Sequence, residues 1–274
     1  MNVSPENSRI FTVHQGRIPY LSVDLLEKTG MVRTAVSLRR DGDGTPVRLY
    51  WREGDDLQQA EEATRAFTAQ LGSDLSHIVM PHQEHTVRVH AVTEKDWGKS
   101  VDRSAFPATD GLITDVPDTL LMVYTADCLP LFFLDPVKRA AGLSHSGRRG
   151  TVGGIGPATV KAMEEAYGSR LEDILCVIGP SICGSCYEVG DEIHEEMKET
   201  WGTARTDEVM AQIGGRWHLD LHRAAEMTLL KAGLKPEHIA VTDVCTRCSC
   251  DSLYSLRGDG RIVNQIASAL RLLP

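Results

Sequence analysis

The segment TADCLP, residues 125–130, places a carboxylate and a thiol side by side at the end of an apolar run. Such groups are unfavourable in a protein core unless other groups pair with them, because burial removes their hydration. A proline, Pro130, follows two residues after the thiol. Asp127 and Cys128 are therefore predicted to lie either at a hydrogen-bonded kink of a sheet or in a functional site.

The strands that follow offer a partner for Cys128. LPLFFLD and RAAGLSH are predicted to be two strands that a short turn at DPVK joins. A turn that pairs Leu134 with Arg139 also pairs Cys128 with His145, and opposed residues of an antiparallel pair have Cβ atoms about 4.5–5.5 Å apart. A thiolate and an imidazole at that separation can share one zinc ion. A slip of one residue would place them on opposite faces.

A third ligand is available in PHQEHTVRVHAV, which contains His82, His85 and His90. If this segment is a strand, alternation places His85 on the same face as Val87 and Val89, with His90 on the other face. Spacing alone does not decide between His82 and His85. For each histidine the alternative interpretation is a hydrogen-bonded core or surface residue.

The segment SHSGRRGTVGG places glycines and two arginines directly before a helical pattern. Backbone N–H groups at a helix start, with Arg148 or Arg149, would suit phosphate or another small anion. The glycine spacing matches neither a Walker loop nor a dinucleotide-binding fingerprint, so a tight turn with solvated arginines is the alternative. Near the C-terminus, YSLRGDGR carries Arg257 before a Gly-Asp-Gly turn.

Other cysteines form two groups, CGSC (Cys183 and Cys186) and CTRCSC (Cys245, Cys248 and Cys250). The 58 residues between Cys186 and Cys245 exceed the loop of about 15–20 residues that is usual in zinc ribbons. We therefore favour buried thiols that act as small hydrophobic side chains over a structural zinc site. The odd total of seven cysteines, with no signal-peptide pattern, indicates a reduced, cytoplasmic protein.

Strand-like runs outnumber helical ones, and several follow each other without an intervening helix. We expect strands at MVRTAVSL, PVRLYW, HTVRVHAV, LLMVYT, LPLFFLD, RAAGLSH, ILCVIG and IAVTDV. We expect helices at DDLQQAEEATRAFTAQLG (with Asp55 or Asp56 as N-cap), GDEIHEEMKETWG, LDLHRAAEMTLLKAGL and the C-terminal GRIVNQIASALRLL. The order predicts an α+β fold of mixed β-sheets packed with helices in a layered sandwich, as a single domain of residues 1–274.

Composition and charge restrict the classes of function. Hydrophobic content of 42% and charged content of 24% over 274 residues are typical of a globular protein with a substantial core. A net charge of −9 argues against a nucleic-acid partner, because phosphate backbones require a basic surface. The apolar runs are shorter than the roughly 20 residues of a membrane span, so no membrane partner is expected.

Seven motifs follow one another along the chain: QEHT, TDGLIT, TADCLP, HSGRRG, IGPSICGSCYEVG, HLDL and YSLRGDGR. Together they resemble the family first called multicopper polyphenol oxidases or laccase-domain proteins, now regarded as zinc-dependent purine nucleoside phosphorylases. The resemblance covers roughly residues 30–265. Arg148 stands where that family has tryptophan and Ser146 where it has alanine, while Glu84 and Thr86 replace its usual valine and glycine.

The resemblance implies a metal site of His85, Cys128 and His145, with zinc as cofactor and copper as the other candidate. It implies phosphorolysis of adenosine, inosine, guanosine and methylthioadenosine, and deamination of adenosine, with purine nucleosides and inorganic phosphate as partners. Three protein ligands leave tetrahedral zinc one open position, as in catalytic sites. Phosphate would attack C1′ of the ribose, whereas deamination needs a water activated for attack at C6 of the purine. A monomer or a homodimer is expected.

We assign catalytic roles to Cys128, His145 and Asp127. A bend before Pro130 would turn the carboxylate of Asp127 towards the site for proton transfer, and a structural hydrogen-bonding role is the alternative. Arg149 is the preferred phosphate contact, and Arg257 is a second candidate.

Three other functions are compatible with these residues. Cys128 and His145 could act as nucleophile and base of a metal-independent cysteine hydrolase or amidase. Two histidines and a thiolate can also bind copper in a polyphenol oxidase, although a further set of histidines for a multicopper cluster is not evident. A non-catalytic zinc-binding module is the third, because Arg148 replaces the family tryptophan beside the site.

Overall fold

The structure, a computed structural model, describes residues 4–49, 57–99, 105–260 and 264–274. In chain order the strands are β1 Phe11–His14, β2 Tyr20–Val23, β3 Val32–Ser37, β4 Ile78–Val79, β5 Val89–Ala91, β6 Gly111–Thr114, β7 Leu120–Thr125, β8 Leu129–Asp135, β9 Ala140–Ser146, β10 Leu175–Ile178, β11 Glu188–Val189, β12 Met210–Ile213, β13 Arg216–Leu219, β14 Ile239–Val241 and β15 Ile266–Leu272. The α-helices are α1 Asp24–Glu27, α2 Leu57–Gln70, α3 Arg148–Gly153, α4 Ile155–Tyr167, α5 Asp191–Trp201, α6 Thr203–Val209, α7 Leu221–Ala232 and α8 Leu256–Asp259. Across the described ranges, no helix combines the length and the apolar character that a membrane span requires.

Within the described residues, two sheets of six strands form the centre of the molecule. Their spatial orders are β1-β2-β3-β15-β7-β4 and β14-β10-β8-β9-β6-β5. Both sheets are mixed, because β4 runs parallel to β7, β5 to β6 and β10 to β14 among otherwise antiparallel neighbours. A small antiparallel sheet, in the order β11-β13-β12, lies outside these two.

The two large sheets pack face to face and helices cover their outer faces. The core between the sheets includes Leu121 and Leu270 of the first sheet and Phe132 of the second. On the outer face of the first sheet, a separate cluster joins Phe67 of α2 to Met122 of β7. On the outer face of the second sheet, a third cluster joins β8 and β10 to apolar residues of α4 and α7. The four layers confirm the predicted α+β layered sandwich.

Most predicted elements are confirmed where the apolar pattern is local and strong. The predicted strands correspond to β3, β7, β8, β9, β10 and β14, and three predicted helices correspond to α2, α5 and α7. HTVRVHAV contains only the short β5, and the described part of PVRLYW forms only an isolated bridge between Arg40 and Pro46. Asp55 and Asp56, the predicted N-caps of α2, lie outside the described residues.

The prediction of a C-terminal helix is wrong, because QIASALRL contains the strand β15, which lies between β3 and β7 in the first sheet. Alternate residues of β15 enter different cores: Ile266 and Leu270 face the second sheet, and Ala267 and Ala269 face α2. A strand that is buried on both faces has no polar side to reveal its period of two. Its apolar residues then also match a helical spacing, and only the pairing with two neighbours decides between them.

The β8–β9 hairpin is present, but its predicted register is wrong by two positions on β9. Asp135 pairs with Ala140 and Pro130 pairs with His145, so the turn consists of residues 136–139. The reason is local, because Oδ1 of Asp135 accepts the N–H groups of Val137 (2.8 Å) and Lys138 (3.0 Å) and starts the turn one residue later than predicted. A shift of two residues preserves the face on which a side chain lies.

Candidate functional site

The segment that contains Asp127 and Cys128 connects the two large sheets. β7 of the first sheet ends at Thr125, and β8 of the second begins at Leu129. Asp127 has a φ of 85°, a left-handed conformation that costs a non-glycine residue about 1–3 kcal/mol. The acid and the thiol therefore lie at a corner between sheets and not inside a strand. This placement explains how two such groups can follow an apolar run.

Cys128 lies beside two histidines. Its Sγ is 3.8 Å from Nε2 of His85, and the rings of His85 and His145 meet edge to face with their centroids 4.8 Å apart. One ligand atom of each residue lies within 4.8 Å of the other two. Zinc binds nitrogen at about 2.0–2.1 Å and sulfur at about 2.3 Å, so one ion can bridge atoms at these separations. The structure thus brings together the three metal ligands that the resemblance implied.

His85 reaches this cluster from a loop, and the strand alternation predicted for it is wrong. β5 begins four residues after His85, and Val87, predicted to share its apolar face, is 41% exposed. The backbone of His85 has a φ of 62°, and its N–H donates to Oδ1 of Asp110 at 3.0 Å. His82 is exposed and lies against a neighbouring glutamate, outside the cluster. Only the loop conformation distinguishes His85 from His82.

Gly147 leaves the space that the cluster needs. A Cβ atom at this position would lie 2.4 Å from Cδ2 of His85 and 3.0 Å from Sγ of Cys128. Atoms do not approach so closely, so any side chain here would displace the histidine or the thiol. The φ of Gly147 is −77°, which every residue adopts, and the requirement for glycine is therefore one of space alone.

Asp110 orients the cluster, a role that no sequence motif predicted. The fully buried carboxylate is 2.8 Å from Nδ1 of His145. It also accepts the backbone N–H groups of Glu84, His85 and Thr86 and the hydroxyl of Thr86. A carboxylate at Nδ1 holds the proton there and leaves the lone pair of Nε2 for a metal. The available signal was the acidic residue of the TDGLIT motif, but no local spacing links it to His145.

Without a metal, Cys128 and His145 form a charged pair. Burial would raise the pKa of the Cys128 thiol, but the charge of His145 and hydrogen bonds from both histidines lower it to about 6. Burial would lower the pKa of His145, but the charge of Cys128 and the hydrogen bond with Asp110 raise it to about 9. Burial also opposes the charge of Asp110, yet hydrogen bonds from His145 and Thr86 lower its pKa to about 2. At neutral pH the thiol is therefore a thiolate, the form that binds metals.

A cavity of about 350 Å³ opens beside the cluster. Its wall is formed by His85, Ala126, Asp127, Cys128, Arg148, Arg149, Ile182, Tyr187, Leu221, Leu256 and Arg257. The three arginines make this part of an acidic protein locally basic. The cavity therefore has apolar, aromatic and cationic surface next to the potential metal ligands.

The three arginines of the cavity differ in the groups that contact their guanidinium groups and compensate their charge. Nη1 of Arg148 lies 2.8 Å from each carboxylate oxygen of Glu196 in α5, which compensates its charge. Nη1 of Arg257 donates to a backbone carbonyl of β11 at 2.9 Å, and its guanidinium lies 5.1 Å from the ring centre of Tyr187. Arg149 is exposed, and its side chain makes no hydrogen bond or ion pair with the described part of the chain. Its charge is the least compensated of the three.

Comparison with known proteins relates this site to a family. Residues 44–270 match the family described as multi-copper polyphenol oxidoreductase laccase. The chain belongs to this laccase family. The resemblance inferred from the seven motifs is therefore confirmed.

Relatives in the laccase family carry two kinds of name. Adenosine deaminase RL5, from an unknown prokaryotic organism, is 34% identical over 238 residues, which cover 86% of this chain and 90% of that protein. Purine nucleoside phosphorylase YlmD of Bacillus subtilis is 36% identical over 218 residues, which cover 78% of this chain and 76% of that protein. The crystal structure of YlmD from Geobacillus stearothermophilus matches with a TM-score of 0.88 at 27% identity, covering 97% of this chain and 99% of that one.

In this laccase-family chain, Asp127 connects separate segments at the wall of the cavity. Its Oδ1 accepts the hydroxyls of Thr246 (2.6 Å) and Ser255 (2.7 Å), and its Oδ2 accepts the N–H of Arg257 (2.8 Å). Asp127 also lines the cavity beside Cys128. The corner at Asp127 thus takes the place of the bend predicted before the proline, and three donors fix the carboxylate.

The interpretation of the cysteines in CGSC and CTRCSC as buried thiols holds for Cys245 and is wrong for the other four, none of which is fully buried. Cys245 is buried, but Cys183 and Cys186 are half-buried and Cys248 is exposed. The Sγ atoms of Cys183, Cys186, Cys245 and Cys248 all lie within 4.8 Å of one another. The long sequence separation argued against a shared site, but the fold brings the two pairs of cysteines together.

Proposed function

We propose that this protein is a zinc-dependent purine nucleoside phosphorylase that also deaminates adenosine. Phosphorolysis of adenosine, inosine, guanosine and methylthioadenosine would take place in the cavity beside His85, Cys128 and His145. The observation that carries the proposal is this three-residue cluster at a cavity lined by arginines. The names of the relatives, purine nucleoside phosphorylase and adenosine deaminase, support the two reactions.

Zinc suits the donors of the cluster. Two imidazoles and one thiolate are ligands of catalytic zinc sites, in which three protein ligands leave one position open. Bound there, zinc would supply a Lewis acid that stabilises negative charge developing on substrate or water. Copper binds the same donors, but in the described ranges the remaining metal-ligand cluster consists of cysteines alone. We therefore propose zinc, with the metal identity to be measured.

The chain's own residues would divide the remaining work. Asp110 holds His145 in the tautomer that ligates through Nε2. Arg149, exposed and uncompensated, is the proposed contact of phosphate, whereas Arg148 is neutralised by Glu196. The volume of about 350 Å³ is within the range of small-molecule sites. A cationic side chain beside the cavity would hold the phosphate for attack at C1′ of the ribose.

We infer that Asp127 acts mainly by positioning the cavity wall. Its three hydrogen bonds hold Thr246, Ser255 and Arg257 in one arrangement. Arg257 is thereby anchored at its backbone, and its guanidinium lies against Tyr187. Arg257 remains a candidate for substrate binding, since it lines the same cavity.

The test is an adenosine assay with and without phosphate. Adenine and ribose 1-phosphate should form only with phosphate, while inosine should form without it. Arg149→Ala should raise the KM for phosphate by roughly tenfold or more, consistent with loss of one charged contact of about 1.5–3 kcal/mol, and leave deamination within about threefold. Arg148→Ala is the matched control and should affect the phosphate KM less. Equal loss of both reactions in Arg149→Ala would exclude Arg149 as the phosphate contact.

A cysteine hydrolase is the second candidate, favoured by one observation. Cys128, His145 and Asp110 form the order of nucleophile, base and orienting carboxylate found in metal-independent hydrolases. Such an enzyme would keep its activity after complete removal of metal and lose it on alkylation of Cys128. Full nucleoside turnover by the chelated, metal-free protein would contradict the zinc-dependent mechanism and favour a reaction carried by Cys128 and His145 without metal.

A further inference from the structure

Two parallel strands bring the cysteine pairs together. β10 and β14 are parallel neighbours, paired from Cys176 with Ile239 to Ile178 with Val241. Their chains therefore leave the sheet at the same edge. CGSC lies beyond the end of β10 and CTRC beyond the end of β14, and a parallel bridge between Ser181 and Cys245 continues the pairing. Two segments separated by 58 residues in sequence thus become adjacent.

We propose that Cys183, Cys186, Cys245 and Cys248 bind a second zinc ion in a closed, tetrathiolate site. Their four Sγ atoms lie within 4.8 Å of one another, and those of Cys186 and Cys248 are 3.5 Å apart. A tetrahedral ion with Zn–S bonds of about 2.3 Å holds its sulfurs about 3.8 Å apart. A disulfide would instead require about 2.05 Å.

Backbone donors are already directed at one of these sulfurs. The N–H groups of Cys183 and Cys248 donate to Sγ of Cys245 at 3.3 Å and 3.5 Å. Cys245 has no exposed surface, so two amides converge on a sulfur that water does not reach. Amide donors of this kind stabilise the charged form of a group, here a thiolate. This arrangement is independent of the sulfur distances and indicates the same site.

A cation would also balance the charge of the cluster. Four thiolates around one zinc ion carry a net charge of about −2. Arg247 lies between the second pair of cysteines in sequence, and its Nη1 donates to the carbonyl of Cys186 in the first pair at 3.0 Å. Its guanidinium therefore links the two turns and places positive charge beside the proposed ion.

The proposed ion would stabilise the wall of the cavity, not take part in the reaction. Tyr187, which lines the cavity, directly follows Cys186. Thr246, which donates to Asp127, directly follows Cys245. All four coordination positions come from the protein, so no position is open to substrate.

Elemental analysis of protein purified without added metal tests this proposal. The unmutated chain should contain about two zinc ions, and the double variant Cys186→Ser, Cys248→Ser about one, because two serine hydroxyls replace thiolate ligands. Cys250→Ser is the matched control, since Cys250 follows in the same loop but lies outside the cluster. It should retain both ions.

His85→Ala gives a test that leaves the four cysteines unchanged. It should contain about one zinc ion, and X-ray absorption at the zinc edge should report four sulfur ligands at about 2.3 Å. Three results would overturn the proposal: unchanged zinc content in the double cysteine variant, a zinc ion in His85→Ala without four sulfurs, or a disulfide among the four cysteines in unmutated protein. Iron in place of zinc would overturn the assignment of the metal. None of these outcomes depends on nucleoside turnover.

Discussion

Replacing Asp110 by asparagine tests how the cluster is oriented. The two oxygens of Asp110 accept five hydrogen bonds, from Glu84, His85, Thr86 and His145. The asparagine amide has one oxygen in place of two, so its NH₂ group would face hydrogen-bond donors that one carboxylate oxygen of Asp110 accepts. If the NH₂ group faces His145, Nδ1 of the imidazole can accept a hydrogen bond from it only when the ring proton moves from Nδ1 to Nε2. The nitrogen that should bind zinc is then protonated.

The expected cost follows from the charge and the contacts of Asp110. Its pKa falls from 3.8 to about 2, which at 1.36 kcal/mol per unit favours the charged folded form by roughly 2 kcal/mol. Buried donors left without a partner add about 1–3 kcal/mol. We therefore expect Asp110→Asn to lower the free energy of unfolding by about 3–5 kcal/mol at neutral pH.

The contribution of Asp110 to the stability of the folded protein changes with pH in a defined direction. The pKa of Asp110 is lowered in the folded protein, so its stabilisation is complete above about pH 4 and is lost as the pH falls towards 2. The difference in stability between the unmutated chain and Asp110→Asn should therefore shrink in acid. Zinc affinity at the cluster should fall at least 10–100-fold, the usual effect of removing a partner of a ligating histidine.

Asp96→Asn is the matched control. Asp96 also lies near a histidine, with its Oδ2 3.4 Å from Nε2 of His90, and accepts the N–H of Thr93 at 2.9 Å, away from the cavity. Both variants should unfold more easily, but only Asp110→Asn should lose zinc from Cys128. A chelator titration, with alkylation of the Cys128 peptide read by mass spectrometry, measures this site separately from the other cysteines. If Cys128 of Asp110→Asn stays protected from alkylation up to the same chelator concentration as in the unmutated chain, the orienting role is refuted.

Two further predictions concern the same cluster. Gly147→Ala should fold but bind zinc at Cys128 about tenfold or more weakly, because its Cβ would lie 2.4 Å from Cδ2 of His85. Gly153→Ala is the control in the same chelator titration, since its Cβ would meet only a valine methyl at 3.0 Å. In chelated protein, alkylation of Cys128 by iodoacetamide should rise as the pH increases through about 6, below the usual range for a thiol, and zinc should suppress it. A profile centred near pH 9, or equal rates with and without zinc, would contradict the paired thiolate.

Local sequence patterns determined most of the secondary structure and the chemical types at the site. β7 and β8 are nearly continuous apolar runs bounded by turn residues, and α5 and α7 have an apolar face at helical spacing, so each could be recognised alone. The motifs then supplied His85, Cys128 and His145 as candidate ligands. The proximity of Cys128 and His145 was inferred with a register that proved wrong by two positions, and that inference survived because an even shift keeps a side chain on its face.

Pairing between distant segments decided the rest. The strand β15 has a helix-like spacing, and its position between β3 and β7 made it a strand. Asp110 becomes the partner of His145 only because β6 pairs with β9, and the four cysteines meet only because β10 and β14 run side by side. Such contacts depend on which strands are neighbours, and spacing along the chain carries little information about that choice. The sequence therefore determined which groups are present, whereas the tertiary structure decided which of them act together.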